Sequence, residues 1–175
     1  MSVVIEGYLT EAKLSDALKQ IVGSQWIDQQ VKLPGSLFKW DMAFRKNDVQ
    51  VLVEFDGDEH YRNSLKIKVD REKDRLAASQ GNLVVRVPYW VQLDNLTTQH
   101  CFGLSANIQQ DFPHGFITTK LFPASFCELG IERFGQELDA LPCPVRDAVL
   151  ASLRNRINEH GHEYVLPASL GSLIN

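Results

Sequence analysis

The clearest pattern in the chain is an alternation. Phe38, Trp40, Met42 and Phe44 alternate with Lys39, Asp41, Ala43 and Arg45, and Val49, Val51, Val53 and Phe55 alternate with Gln50, Leu52, Glu54 and Asp56. Strand side chains change face at each residue, so the two runs predict a hairpin with one apolar face. A two-residue turn at Asn47-Asp48 is the economical connection, because both residue types tolerate positive φ. The resulting register pairs Lys46 with Val49, Phe44 with Val51, Met42 with Val53 and Trp40 with Phe55. It also sets Asp41 opposite Glu54 and Lys39 opposite Asp56, with opposed Cβ atoms about 4.5–5.5 Å apart.

Other periodicities fill in the rest. Residues 10–22 predict a helix with Thr10 as N-cap, Glu11 in its first turn, Leu14, Leu18, Ile21 and Val22 as its stripe, and Gly23 at its end. Trp26 to Leu33 reads as a short strand closed by Pro34-Gly35. A helix is expected within 64–80, at least from Asp70, which suits an N-cap, and Gly81 ends it. Leu83 to Val87 reads as a buried strand, parallel to its predecessor because a helix separates them. Beyond residue 103, Pro113, Gly115 and Pro123 break the chain. A helix is expected within 125–141, and another from Pro144 to Gly161 that buries Val145, Val149, Leu153 and Ile157. The organisation expected is an α/β core over residues 1–102 and a mainly helical extension over 103–175.

Composition narrows the class. The 175 residues, 44% hydrophobic and 23% charged, suffice for one globular domain with a real core, or for that plus a subdomain. No apolar run approaches the ~20 residues that span a bilayer, so no membrane partner is expected. The first residues lack a basic start followed by an apolar stretch, so a cytoplasmic protein is expected. Cys101, Cys127 and Cys143 form no CxxC, which argues against a disulfide framework or a zinc knuckle, although His100-Cys101 offers two ligands. The net charge of −4 does not point to nucleic acid, but its distribution does. Residues 61–102 carry seven Lys/Arg against four Asp/Glu, among them Arg62, Lys66, Lys68, Arg71, Lys73, Arg75 and Arg86.

That basic segment follows the stretch richest in chemistry, Val53-Glu54-Phe55-Asp56-Gly57-Asp58-Glu59-His60-Tyr61. Glu54 and Asp56 share a strand face, Asp41 lies across from Glu54, and like charges so placed repel unless a cation lies among them. Hard oxygen ligands suit Mg²⁺, with Mn²⁺ as substitute, so Asp41 and Glu54 are expected as ligands and Asp56 as a third ligand or a water-orienting group. His60 is a candidate base, or an acid toward a leaving oxygen. Blander readings stand beside these: Asp56-Gly57 as a turn, His60 as structural, Asp70 as a cap, and the basic residues as a solvated helix face. Cations beside clustered acids suit an enzyme acting on a phosphate backbone, with Arg62, Lys66, Lys68, Arg71, Lys73 and Arg75 binding DNA. Among the aromatics, Phe38, Trp40 and Phe44 are expected in the core, and Tyr61, Tyr89 and Trp90 as possible DNA contacts.

An Asp on one hairpin strand, Glu-x-Asp-Gly-x-x-His on the next, then Asp, Leu and Gly ahead of a Val-rich strand resembles the Vsr-like (very-short-patch-repair) endonucleases of the restriction-endonuclease-like, or PD-(D/E)xK, superfamily. The matching positions are Asp41, Glu54 to His60, Asp70, Leu76, Gly81 and Leu83 to Val87. Glu11 is similar to the acid on that superfamily's early helix. The resemblance implies a restriction-endonuclease-like mixed β-sheet core flanked by helices, with a helical C-terminal extension, and a Mg²⁺-dependent endodeoxyribonuclease. It implies that Glu11 approaches the metal through water or Lys39, and that Asp70 is a partner in the site. The superfamily's Glu-x-Lys is here Glu54-x-Asp56, so Lys39 is the expected replacement for the strand lysine. Repair, homing and restriction roles all stay open. The alternative is a catalytically inactive nucleic-acid-binding protein on the same fold. A third reading, hydrolysis of small phosphoesters, is disfavoured because it needs no extended basic track. Cutting both strands would require a dimer or higher assembly.

Overall fold

In the computed structural model, which describes residues 2–174, the hairpin forms the middle of a four-stranded sheet. The elements run β1 (Ser2–Ile5), α1 (Glu11–Val22), β2 (Trp26–Val31), β3 (Trp40–Lys46), β4 (Val49–Asp56), α2 (Glu59–Arg62), α3 (Ser64–Ser79), β5 (Leu83–Pro88), α4 (Asn95–Phe102), β6 (Asn107–Gln110), α5 (Glu128–Ala140), α6 (Cys143–His160) and α7 (His162–Val165). The main sheet has the order β2-β3-β4-β5, antiparallel except for the parallel β4–β5 pair. The chain is therefore mixed α/β, with a mixed sheet flanked by helices.

The hairpin register is the one the alternation predicts: Met42 faces Val53, Phe44 faces Val51 and Lys46 faces Val49. Asn47 and Asp48 carry the positive φ of a tight turn, 48° and 64°. At its open end the hairpin departs from expectation, because the ladder stops at Met42–Val53. Beyond it the carboxylate of Asp41 takes the place of a ladder carbonyl and accepts the Phe55 N–H at 2.8 Å. Trp40 then leaves the Met42 and Phe44 cluster and packs with Leu33, Ala43, Leu52 and Ala77. Lys39 falls outside the strand and is exposed, so it does not oppose Asp56.

Both faces of the sheet are covered, rather than one apolar and one polar. Met42, Phe44, Val51, Val53 and Val87 pack on Leu14, Ala17 and Leu18 of α1. Ala43 and Leu52 pack on Ala77 of α3. Helix α3 starts at Ser64, where the Asn63 side chain caps the N–H groups of Leu65 and Lys66, so Asp70 is not its cap. Its buried face is Ile67, Asp70, Lys73 and Ala77, positions that recur at helical spacing.

The last third does not stand apart from the first. Strand β6 pairs in parallel with β1, Val3 facing Ile108, and so crosses the expected boundary at residue 102. Phe134, Leu138, Val149, Leu153 and Val165 pack against Tyr61, Tyr89, Trp90 and Phe116, giving the C-terminal helices a core shared with the sheet's end. Among the described residues no helix is long and apolar enough to cross a membrane. The tightest join is at α5, where Gly130 lies against the Tyr61 carbonyl with no room for a Cβ, and the Cys127 N–H donates to the same oxygen at 3.1 Å. Gly130→Ala is therefore expected to destabilise the protein by about 1–3 kcal/mol, the usual range for overpacking. Urea unfolding followed by far-UV circular dichroism checks it; an unchanged midpoint would mean that α5 is not docked this closely.

Candidate functional site

The acids of the hairpin divide into two groups with different surroundings. Asp56, the last residue of β4, is completely buried. Its Oδ1 accepts from Arg86 Nη1 of β5 at 2.8 Å and lies 3.0 Å from His60 Nδ1, and its Oδ2 accepts from Arg133 of α5. Asp70 of α3 joins the group, 2.6 Å from His60 Nδ1 and 3.2 Å from Arg133 Nη1. Asp74 and Glu137 complete it at the far ends of Arg86 (2.9 Å) and Arg133 (2.7 Å). Burial alone would raise the pKa of Asp56, but His60, Arg86 and Arg133 outweigh it and hold the carboxyl well below the ordinary range. Burial would likewise lower His60, but its bonds to Asp56 and Asp70 raise it to about 9.

The second group gathers where the hairpin opens. Glu54 is buried, and its Oε1 accepts from Lys73 Nζ of α3 at 2.6 Å. Lys73 also donates to the Lys39 carbonyl at 2.7 Å and lies over the Trp40 ring, 5.4 Å from its centroid. Burial, then the nearby Asp41 charge, pushes Glu54 up to about 7 despite Lys73. Glu11, in the first turn of α1, is raised by partial burial and again by Asp41. Glu11, Asp41 and Ser15 line an open cleft of about 350 Å³ between α1 and the sheet.

Asp41 thus lies near enough to Glu11 and to Glu54 to raise both, with Lys73 on Glu54, though the three do not form a ligand group of the 4.8 Å spacing that Asp56, His60 and Asp70 show. No described residue donates a hydrogen bond to Asp41 Oδ1 or Glu54 Oε2. These two carboxylate oxygens are hard donors of the kind that can hold a cation. The ligand atoms of Asp56, His60 and Asp70 lie within 4.8 Å of one another, a spacing that could also hold a metal. There, however, both oxygens of Asp56 and Oδ2 of Asp70 are already engaged by guanidinium or imidazole groups. Asp56 is thus tied to the surrounding cations, Asp70 Oδ1 is buried without a hydrogen-bond partner, and the bonds of His60 to Asp56 and Asp70 favour its protonated form.

The basic residues expected at DNA divide as well. Lys73 is buried on Glu54 and is not available to a backbone. Arg62 pairs with Glu59 at 3.1 Å and Asp58 at 3.5 Å, and Arg71 with Glu132 at 3.8 Å. Lys68 and Arg75 are exposed, and Lys66 is half-buried. Tyr61 and Trp90 have no exposure, so neither offers an outward face, and Tyr89 is buried except where it lines a cavity beside Glu11. Sequence reasoning missed Arg133 entirely, and it took Lys73 for a surface cation although helical spacing from Ile67 and Asp70 puts it on the inward face. Comparisons with protein-family models, with curated proteins and with solved structures each gave no match.

The ion-pair network has a pH signature. His60 is raised in the folded chain above its usual 6.5, so the stability it contributes is complete below that value and is lost as pH rises through about 9. Glu54, raised to about 7, acts mainly below that window. The thermal midpoint should therefore fall between about pH 7 and 9.5. In His60→Gln that decline should flatten, from a lower starting midpoint; equal slopes in the two proteins would remove His60 from the network.

Proposed function

We propose that the chain is a Mg²⁺-dependent DNA endonuclease on a restriction-endonuclease-like core. One observation carries the reading: Asp41 stands where the β3–β4 ladder opens, near enough for its charge to act on Glu54, with Lys73 on Glu54 and Glu11 beside Asp41 in the adjoining cleft. The strand order, with an antiparallel hairpin followed by a helix and a parallel strand, supports the core assignment. The lysine missing from the strand position is supplied from α3 by Lys73 rather than by Lys39, whose carbonyl only helps to hold it.

Asp41 and Glu54 would hold the cation through their free oxygens, with Glu11 reaching it directly or through water. When bound, the ion would stabilise charge on the scissile phosphate and acidify an attacking water. The Phe55 N–H orients Asp41, and Lys73 orients Glu54. Two of the three Lys73 N–H donors are engaged, on Glu54 and on the Lys39 carbonyl, which holds the ammonium beside the carboxylate. Lys66, Lys68 and Arg75 on α3 supply positive charge for the backbone.

A second reading, a nucleic-acid-binding protein that does not cut, is favoured by the enclosure of the Glu54–Lys73 pair, 4% and 6% exposed. Supercoiled plasmid separates the two. The endonuclease reading expects nicking or linearisation with Mg²⁺ or Mn²⁺, none in EDTA, and at least about a hundredfold loss in Asp41→Asn and Glu54→Gln. DNA binding with no cleavage under either metal would select the second reading, and cleavage undiminished in both variants would discard the assigned site.

A further inference from the structure

A second cavity adjoins the acidic cleft and takes no part in the chemistry above. It measures about 240 Å³ and shares Thr10 and Glu11 with the cleft that holds Asp41. Its walls are mainly apolar and aromatic, formed by Tyr8, Leu9, Phe55, Tyr89 and Ile117, with Gly57 and Lys120 also in the lining. Phe55 follows Glu54 in the chain and gives its N–H to Asp41, so one wall is built on the backbone that carries the carboxylates. The other rings are held in place: the Tyr89 hydroxyl donates to the Leu121 carbonyl at 2.5 Å, and Tyr8 packs on Phe112 with centroids 4.9 Å apart. Lys120 is exposed and forms no ion pair with a described carboxylate.

These properties select an occupant. The cavity is smaller than the ~300–1,000 Å³ of sites for drug-sized ligands, and suits one planar ring system rather than a base pair. Aromatic walls stack on nucleobases of any sequence, and a lone ammonium at such a site neutralises a phosphate. We infer that the cavity receives a single unstacked nucleobase whose neighbouring phosphate lies at Glu11, Asp41 and Glu54. The preferred substrate is then DNA with an unpaired or extruded nucleotide, because unstacking is least costly where the base has no partner. The inference rests on the endonuclease reading and narrows its substrate.

Gly57 supplies a clean block. A Cβ there meets no atom within 4 Å, and its φ lies outside the left-handed region, so Gly57→Leu adds a side chain in open space without backbone strain. Ile117→Trp fills the cavity from its other side. The probes are three labelled duplexes of one sequence: fully paired, carrying one extra unpaired adenine, and carrying an abasic residue in place of that adenine. Fluorescence anisotropy in Ca²⁺ reads binding. The wild-type chain is expected to bind the unpaired-adenine duplex about tenfold more tightly than either of the others, the scale of one base stacked on aromatic side chains. Gly57→Leu and Ile117→Trp are expected to bind all three alike. Equal wild-type affinity for the three probes, or a preference retained by both folded variants, would overturn the inference. Cleavage of plasmid that depends on Glu54 but shows no such preference removes only the base pocket; the preference without cleavage removes only the endonuclease reading.

Discussion

The fold depends on one carboxylate without solvent. Asp56 ends β4 in complete burial, an arrangement that is strongly unfavourable for a lone charge. It persists because Arg86 reaches it from β5, Arg133 from α5 and His60 from α2, while Asp70 of α3 balances the same cations. Breaking such a group by removing one partner commonly costs about 3–5 kcal/mol, whereas the complete group adds little by itself. Its effect is geometric: one anion fixes where a strand, three helices and a neighbouring strand meet. The Arg133 guanidinium extends the join, stacking 4.9 Å from the Tyr61 ring while Glu137 accepts from both Arg133 and the Tyr61 hydroxyl.

Glu54 and Asp56 illustrate how surroundings assign different work to neighbouring acids. They share a strand face two residues apart. Asp56 meets three cations and is held ionised, whereas burial and then the repulsion of Asp41 raise Glu54 to about 7, beyond what Lys73 and the more distant Arg86 offset. An acid in the second condition gains from any further cation that arrives, and an acid in the first does not. The anchored Asp56 also fixes the backbone on which Glu54 and Phe55 sit, so the network and the cleft are parts of one construction.

Local physics was legible in the sequence where local rules decide. The cap at Thr10, the turn at Asn47-Asp48, the hairpin register and the parallel crossover to β5 all follow from spacing and residue type. Asp41 and Glu54 were legible as candidates for the same reason, whereas Glu11 entered only through the resemblance. What stayed hidden depends on partners far along the chain. Helix α3 buries Asp70 and Lys73 on its inward face, where sequence alone suggested a cap and a DNA-facing cation. Arg133 meets Asp56 across 77 residues, and nothing near either residue announces it. Four-residue strands such as β1 and β6 are too short for alternation to register. Helix α4 is largely polar, and its capping box at Asp94 and Thr97 was its one local signal.

The parallel pairing of β1 with β6 governs the order in which the molecule can be completed. Ser2 and Asn107 are 105 positions apart, and ribosomes add roughly 5–20 residues per second. The first strand therefore waits for something like 5–20 seconds of synthesis before its partner exists, with Val3 and Ile5 still to be buried. During that interval its shelter is the part of its core cluster already made, such as Leu14 and Leu18 of α1 and Met42 and Phe44 of the hairpin. A nascent chain of this design leaves β1 open to chaperones and to misplaced strand pairing long after its hairpin could have closed.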